Sequence, residues 1–247
     1  MAIPWKAKVL KTEQWNEDTV HLSCEMLEPS ELGFVGGQYI IVNSGKILPN
    51  GKLGKRAYSI PSADSQQHRF DLAVKKISQG IGSNFMHDLK VGDTFEFSGP
   101  WGKYKPGSMA NEKILCVATD TGITAALGLL RGKWMSPILP ESRFIWLVSS
   151  EDYFLPLKIV NEWLPQKVNA AFPVSIPPIG TESRISVSIE KIEQMIGQAI
   201  FSKIYLSGDG FILSELKNFF LNKGYLEEQI IVETFFHHAS LKSTSTV

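Results

Sequence analysis

Four consecutive residues, Arg56-Ala57-Tyr58-Ser59, bring a guanidinium, a phenol ring and a hydroxyl together. A guanidinium is a planar fork that matches two oxygens of one phosphate. The Tyr58 ring offers a flat face on which another ring system can rest. Farther along, Gly80, Gly82 and Ser83 sit where a helix is expected to begin. There the orphan N–H groups and the positive end of the helix dipole would face an anion. These residues suit a ligand that carries both a flat ring and a pyrophosphate. Each also has a plainer reading: Arg56 as a surface charge, Tyr58 as a strand residue, Ser83 as an N-cap.

Two other turns could do chemistry. Ala118-Thr119-Asp120-Thr121-Gly122-Ile123-Thr124-Ala125 and Leu206-Ser207-Gly208-Asp209-Gly210 each join an apolar run to a helix-like stretch. Glycine at such turns lets a backbone approach a phosphate closely. Asp120 departs from that pattern. A carboxylate about 6 Å from a phosphate charge costs roughly 1–3 kcal/mol at effective dielectrics of about 80 to 20. Asp120 therefore either weakens nucleotide binding or caps the helix starting near Gly122.

The elements that must position these residues fall into two patterns. Up to about residue 106, short strands are expected at Ala7–Leu10, Thr19–Met26, Gln38–Val42, Ala57–Ile60, Phe70–Lys76 and Thr94–Ser98. Turns at Gly36-Gly37, Pro49-Asn50-Gly51, Gly92-Asp93 and Gly99-Pro100 separate them. With one helix near Ser83–Leu89, this reads as a small antiparallel β-barrel. The unbroken apolar run from Tyr39 to Val42 suits a closed wall. Later, Lys113–Ala118, Arg143–Ser149, Ile185–Ile189, Lys203–Ser207 and Gln229–Phe235 read as strands. They alternate with helical stretches at Thr124–Trp134, Leu155–Leu164, Ile189–Gly197 and Ile212–Lys223. Gln166–Thr181 reads as an irregular loop. Such alternation implies an α/β doubly wound parallel sheet. The expected domains are 1–106 and 107–247.

Composition narrows the class. The 247 residues are 43% hydrophobic and carry 25 basic and 25 acidic side chains. The signs nearly balance on both sides of residue 110, which argues against the clustered basic face of a nucleic-acid binder. Cys24 and Cys116 lack close partners, so a disulfide framework, a Cys₄ zinc site and a four-cysteine iron–sulfur cluster are excluded within the chain. The histidines and acids show no metal-ligand spacing. No apolar run reaches the length of a membrane span. Pro4, Lys6 and Lys8 interrupt the start, unlike a signal peptide. The expectation is a cytoplasmic protein.

Three motifs in order, Arg56-Ala57-Tyr58-Ser59, Gly80-Ile81-Gly82-Ser83 and Ser98-Gly99-Pro100-Trp101-Gly102, resemble those of the ferredoxin–NAD(P)H reductase superfamily. Gly37-Gln38-Tyr39 and Val232-Glu233-Thr234-Phe235-Phe236 extend the resemblance over nearly the whole chain. It implies an FAD-binding barrel followed by an NAD(P)-binding domain, although the residues themselves carry no mark that separates FAD from FMN. FAD would be held by Arg56, Ala57, Tyr58, Ser59, Val74, Lys75, Gly80, Gly82 and Ser83, with Ser59 at the flavin N5. NAD(P)H would meet Thr121, Gly122, Gly208 and Asp209. The resemblance names Ser59, Ser207 and Glu233 as catalytic. Ser207 replaces the family's cysteine beside the nicotinamide, and Asp120 and Ala125 replace a glycine and a proline. Phe236 is expected over the ring face opposite Tyr58, with Phe235, His237 and His238 as alternatives.

The acidic stretch Ser149-Ser150-Glu151-Asp152 points to NADH, since a 2′-phosphate wants a basic partner; Ser183-Arg184 is the alternative that could supply one. Lys46, Lys52, Lys55 and Arg56 lie in a stretch without acids. They could dock an acidic electron carrier of ferredoxin or flavodoxin type, or simply be a solvated surface. The expected function is hydride transfer from NAD(P)H to flavin and electron delivery to that separate carrier. The rival expectation is a flavin-binding electron-transfer subunit or interaction protein that no longer uses NAD(P)H.

Overall fold

The computed structural model describes residues 4–48, 51–107, 112–149 and 153–236. Six strands come first: β1 (Trp5–Asn16), β2 (Thr19–Glu28), β3 (Tyr39–Ile47), β4 (Leu53–Ser59), β5 (Arg69–Lys75) and β6 (Thr94–Trp101). They pair antiparallel in the order β4-β3-β6-β1-β2-β5, and the end strands β4 and β5 touch. Inward side chains such as Leu22, Ile40, Phe70, Leu72 and Phe97 fill the interior. The run Tyr39–Val42 alternates: Ile40 and Val42 are buried, while Tyr39 and Ile41 are half-buried. Helix α1 (Ile81–Asp88) lies between β5 and β6 in sequence and sends Met86 into the same core. Cys24 also lies in that core, where burial pushes its thiol up and leaves it inert.

Five parallel strands follow: β7 (Ile114–Thr119), β8 (Arg143–Val148), β9 (Asn169–Ser175), β10 (Lys203–Asp209) and β11 (Ile230–Phe236). Helices α2 (Ile123–Leu130), α3 (Leu157–Trp163), α4 (Arg184–Ile196) and α5 (Gly210–Asn222) connect them. The order β11-β10-β7-β8-β9 reverses direction between β7 and β10. Ligands of doubly wound sheets bind at such a switch point, beyond the carboxyl ends of the strands. Every residue of β7 is buried, as expected for a parallel strand covered on both faces.

Two expectations are corrected here. Ile185–Ile189 is no strand; it belongs to α4, whose Arg184, Ser188, Ile192 and Ile196 form one buried face. The strand lies earlier, at Asn169–Ser175, inside the stretch expected to be an irregular loop. Pro173 obscures it, but β9 is the edge of its sheet, where a missing N–H is tolerated.

The chain forms two compact units. One joins residues 1–110 to residues 124–137 and 154–166; the other joins 111–123, 138–153 and 167–247. In the first unit, a Cβ on Gly128 would strike the Ile60 carbonyl, and one on Gly36 would strike the Gly128 carbonyl. Asp64 accepts from the Gly36 N–H at 3.0 Å and the Lys133 N–H at 2.8 Å. Trp163 packs edge-on against Trp15 and His21, and Arg131 covers its ring at 5.0 Å.

Candidate functional site

In the barrel unit, β4 and the start of α1 bring the expected residues together. A Cβ at Gly82 would lie 2.5 Å from Arg56 Cγ and 3.2 Å from the Tyr58 hydroxyl oxygen, so these three residues converge. Arg56 is exposed and gives one N–H to the Lys55 carbonyl at 2.7 Å. It forms no ion pair among the described residues. The Tyr58 hydroxyl is buried without a hydrogen-bond partner, and burial pushes its pKa up, so it stays a donor. A buried unpaired hydroxyl costs about 1–3 kcal/mol, which a ligand oxygen would recover. No side chain caps the N-terminus of α1, leaving its N–H groups for an anion.

Ser83 does something local. Its hydroxyl accepts from the Ile77 N–H and donates to the Gly80 carbonyl, each at 3.0 Å. It therefore shapes the turn entering α1, and only its N–H remains to meet an anion. Ser59 is buried at the end of β4, paired across the sheet with Tyr39, and Ala57 pairs with Ile41. Val74 points into the core, and its carbonyl accepts from His87 of α1 at 3.0 Å. Lys75 is engaged with Asp18 at 3.1 Å.

In the sheet unit, the expected residues gather at the switch point. Ser207, Gly208 and Asp209 end β10, opposite Glu233, Thr234 and Phe236 of β11. Thr119, Asp120, Thr121 and Gly122 follow β7. The two turns touch backbone to backbone: a Cβ on Gly122 would strike the Ser207 carbonyl, and one on Gly208 would strike Thr119. Ser207 is fully buried and donates to the Gly122 carbonyl at 2.9 Å. Asp209 donates its N–H to Thr119 Oγ1 at 2.7 Å and caps α5 through the Phe211 N–H. Burial raises the Glu233 carboxyl above the usual carboxylate range. His237 and His238 lie outside the described residues, as do residues 150–152.

Asp120 has an anchorage the sequence does not announce. It adopts φ +45°, in the left-handed region that aspartate tolerates better than most residues. Its carboxylate accepts from the Ser149 hydroxyl at 2.8 Å, the Ser149 N–H at 3.2 Å and Arg184 at 2.7 Å. Trp146 Nε1 holds its carbonyl at 2.9 Å. Arg184 is 4% exposed and also lies 3.5 Å from Asp209. The guanidinium that could have met a 2′-phosphate is thus spent on two carboxylates and the Pro177 carbonyl. The sequence reading set Arg184 before a strand, whereas it opens α4, and its partners, 64 residues away in one case, were not visible either.

Residues 6–105 match the family described as "Oxidoreductase FAD-binding domain". Ferredoxin–NADP reductase B of Sorangium cellulosum is 39% identical over 132 residues, 53% of this chain and 52% of that protein. NADH-cytochrome b5 reductase 2 of Lodderomyces elongisporus is 31% identical over 125 residues, 50% of this chain and 41% of that protein. The chain thus aligns with about half or less of these curated relatives. Among solved structures, the cytochrome P450 reductase GcoB of Amycolatopsis superposes with a TM-score of 0.75 at 17% identity, covering 96% of this chain and 71% of that one. The flavohem-like FAD/NAD binding domain of a Vibrio cholerae nitric oxide dioxygenase gives 0.69 at 15% identity, with 95% and 99% covered.

Proposed function

We propose that this chain, whose residues 6–105 match an oxidoreductase FAD-binding domain family, belongs to the ferredoxin–NAD(P)H reductase superfamily, takes electrons from a nicotinamide dinucleotide and delivers them to a separate protein carrier. The observation that carries the reading is the orphaned Tyr58 hydroxyl beside Arg56 and Gly82, next to a helix N-terminus that no side chain caps. These groups fit a flavin dinucleotide: a ring face, a phosphate fork and backbone donors. When bound, the flavin supplies the chemistry, accepting a hydride from reduced nicotinamide and passing electrons on.

The protein's own residues bind and orient. Arg56 and the N–H groups of α1 neutralise the pyrophosphate, Tyr58 supports the ring system, and Ser59 offers a hydroxyl at the end of the same strand. In the sheet unit, Gly122 and Gly208 let the turns after β7 and β10 meet backbone to backbone, while Ser207 braces them, and together they shape the ground on which the nucleotide would rest. Glu233, its carboxyl raised by burial, is the residue for holding a proton near the nicotinamide end. For the carrier, Lys46, Lys52 and Lys55 are exposed on the β3–β4 hairpin. An acidic carrier of ferredoxin or flavodoxin type fits them.

A second reading, a flavin-binding electron-transfer subunit that does not use nicotinamide, is favoured by one observation. Asp120 keeps a carboxylate in the turn where a phosphate would lie. One experiment separates the two. Under anaerobic conditions, NADH and then NADPH are added to the flavin-loaded protein. Bleaching of the visible flavin band by either supports the main reading. A yellow protein that neither nucleotide reduces overturns it in favour of the second.

A further inference from the structure

Asp120 is the one non-glycine residue with a positive φ among the described residues. Such a backbone costs energy and persists where its surroundings over-determine it. Within the sheet unit, two elements do so. At the end of β8, Ser149 donates its hydroxyl and its N–H to the Asp120 carboxylate, and Trp146 donates to the Asp120 carbonyl. At the start of α4, Arg184 donates Nη2 to the same carboxylate and Nη1 to the Pro177 carbonyl, each at 2.7 Å. Its Nε is buried without a hydrogen bond and stands 3.5 Å from Asp209 at the end of β10. One buried guanidinium thus spans the carboxyl ends of β7 and β10, neighbours in the sheet. Ser207 and Thr119 join the turns beyond those ends to each other, at 2.9 and 2.7 Å. Arg184 joins the pair of turns to α4.

We propose that Arg184 is a positioning residue for hydride transfer. Acting through Asp120 and Asp209, it fixes the turns after β7 and β10, and with them the fraction of bound dinucleotide held in reacting geometry. The inference rests on the nucleotide reading given above and adds a residue to that same site. Two carboxylates and a carbonyl occupy the guanidinium, so Arg184 acts through them and not by touching the dinucleotide. Its effect therefore falls on the rate from the bound state, not on affinity. A misplacement of about 1 Å, caused by a change away from the reacting atoms, can cost about 100-fold in rate. Glycine at position 120 would take a positive φ unaided and leave the turn untied. Aspartate takes it within the clasp, so conformation and anchorage come together.

The test separates the tie from its charge. Asp120→Asn and Asp120→Gly both remove the carboxylate charge, and both new side chains accept a positive φ, so the turn can form in each. Only Asp120→Asn keeps a carbonyl oxygen for Ser149 and Arg184. Anaerobic stopped-flow reads the limiting rate of flavin reduction at saturating NADH or NADPH, whichever reduces the natural chain. Calorimetry of the oxidised dinucleotide onto the flavin-loaded full chain reads affinity. Asp120→Gly should slow the limiting rate by about tenfold or more, with affinity changed by less than about threefold. Asp120→Asn should hold the rate within about threefold of the natural chain's. Arg184→Lys, which keeps the charge and loses the planar fork, should behave as Asp120→Gly does. Equal rates in Asp120→Asn and Asp120→Gly, a natural rate in Arg184→Lys, or an affinity loss in place of a rate loss overturns the assignment and leaves the nucleotide reading standing. If neither nucleotide reduces the natural chain, the nucleotide reading falls and the assignment with it.

Discussion

Replacing Gly82 by alanine separates the fold of the barrel unit from its use. The added Cβ would sit 2.5 Å from Arg56 Cγ and 2.9 Å from Arg56 Cβ. Both atoms belong to the root of the side chain, which cannot swing aside as a terminal group can. Reaching the about 3.5–4.0 Å of ordinary carbon contacts requires a shift of about 1 Å or more. Such overpacking costs about 1–3 kcal/mol. Alanine in place of a helical glycine returns about 0.8–1.0 kcal/mol, so the net loss of stability is about 0–2 kcal/mol. Flavin affinity should suffer more. Displacing the guanidinium from a phosphate forfeits a charge-assisted bond of about 1.5–3 kcal/mol, or about 10–100-fold in Kd. Fluorescence titration of FAD onto apoprotein reads the affinity, and thermal unfolding of the same apoprotein reads the stability. A Gly82→Ala protein that binds FAD like the natural chain refutes the argument that Arg56 holds the pyrophosphate across Gly82.

Two further outcomes are expected. Arg184→Met leaves the nearly buried carboxylates of Asp120 and Asp209 without their counter-ion and should cost about 3–5 kcal/mol in urea unfolding. Adding Asp120→Asn should recover part of that loss, and strictly additive effects would show that the pair is not coupled. Reversing charge at Lys46, Lys52 and Lys55 should slow reduction of an acidic carrier at low salt by about tenfold or more. The difference should fade as salt screens it, and an unchanged low-salt rate in stopped-flow would remove the hairpin as the docking surface.

Much of the fold was legible because single periods dominate its elements. The six-residue buried run of β7 and the strand–turn–helix order around Gly208 each carry one signal. Ile185-Ser186-Val187-Ser188-Ile189 carries two. Apolar and polar residues alternate as in a strand, yet Ile185, Ile189, Ile192 and Ile196 recur at helical spacing over a longer window. The longer period prevails, because α4 buries Ile192 and Ile196 against the sheet. At the site, Arg56, Tyr58 and Gly82 could be paired from motif order, because short elements carry them. What Ser83 and Ser207 do with their hydroxyls could not be read. Ser83 bonds the turn it stands in, and Ser207 bonds a carbonyl 85 residues away. The clasp of Asp120 by Ser149 and Arg184 was hidden for the same reason: three strand or helix ends must meet before it exists.

The way the compact units are shared out along the chain bears on biosynthesis. The barrel strands end at Trp101, but the unit they belong to also takes in residues 154–166, whose Trp163 covers Trp15 and His21. At synthesis rates of roughly 5–20 residues per second, those residues follow the last barrel strand by roughly 3–11 s. During that interval the nascent barrel presents Trp15 and His21 without the cover of Trp163. On the ribosome, therefore, the first unit to begin folding waits for its last cover until two stretches of the second, residues 111–123 and 138–153, have already been made.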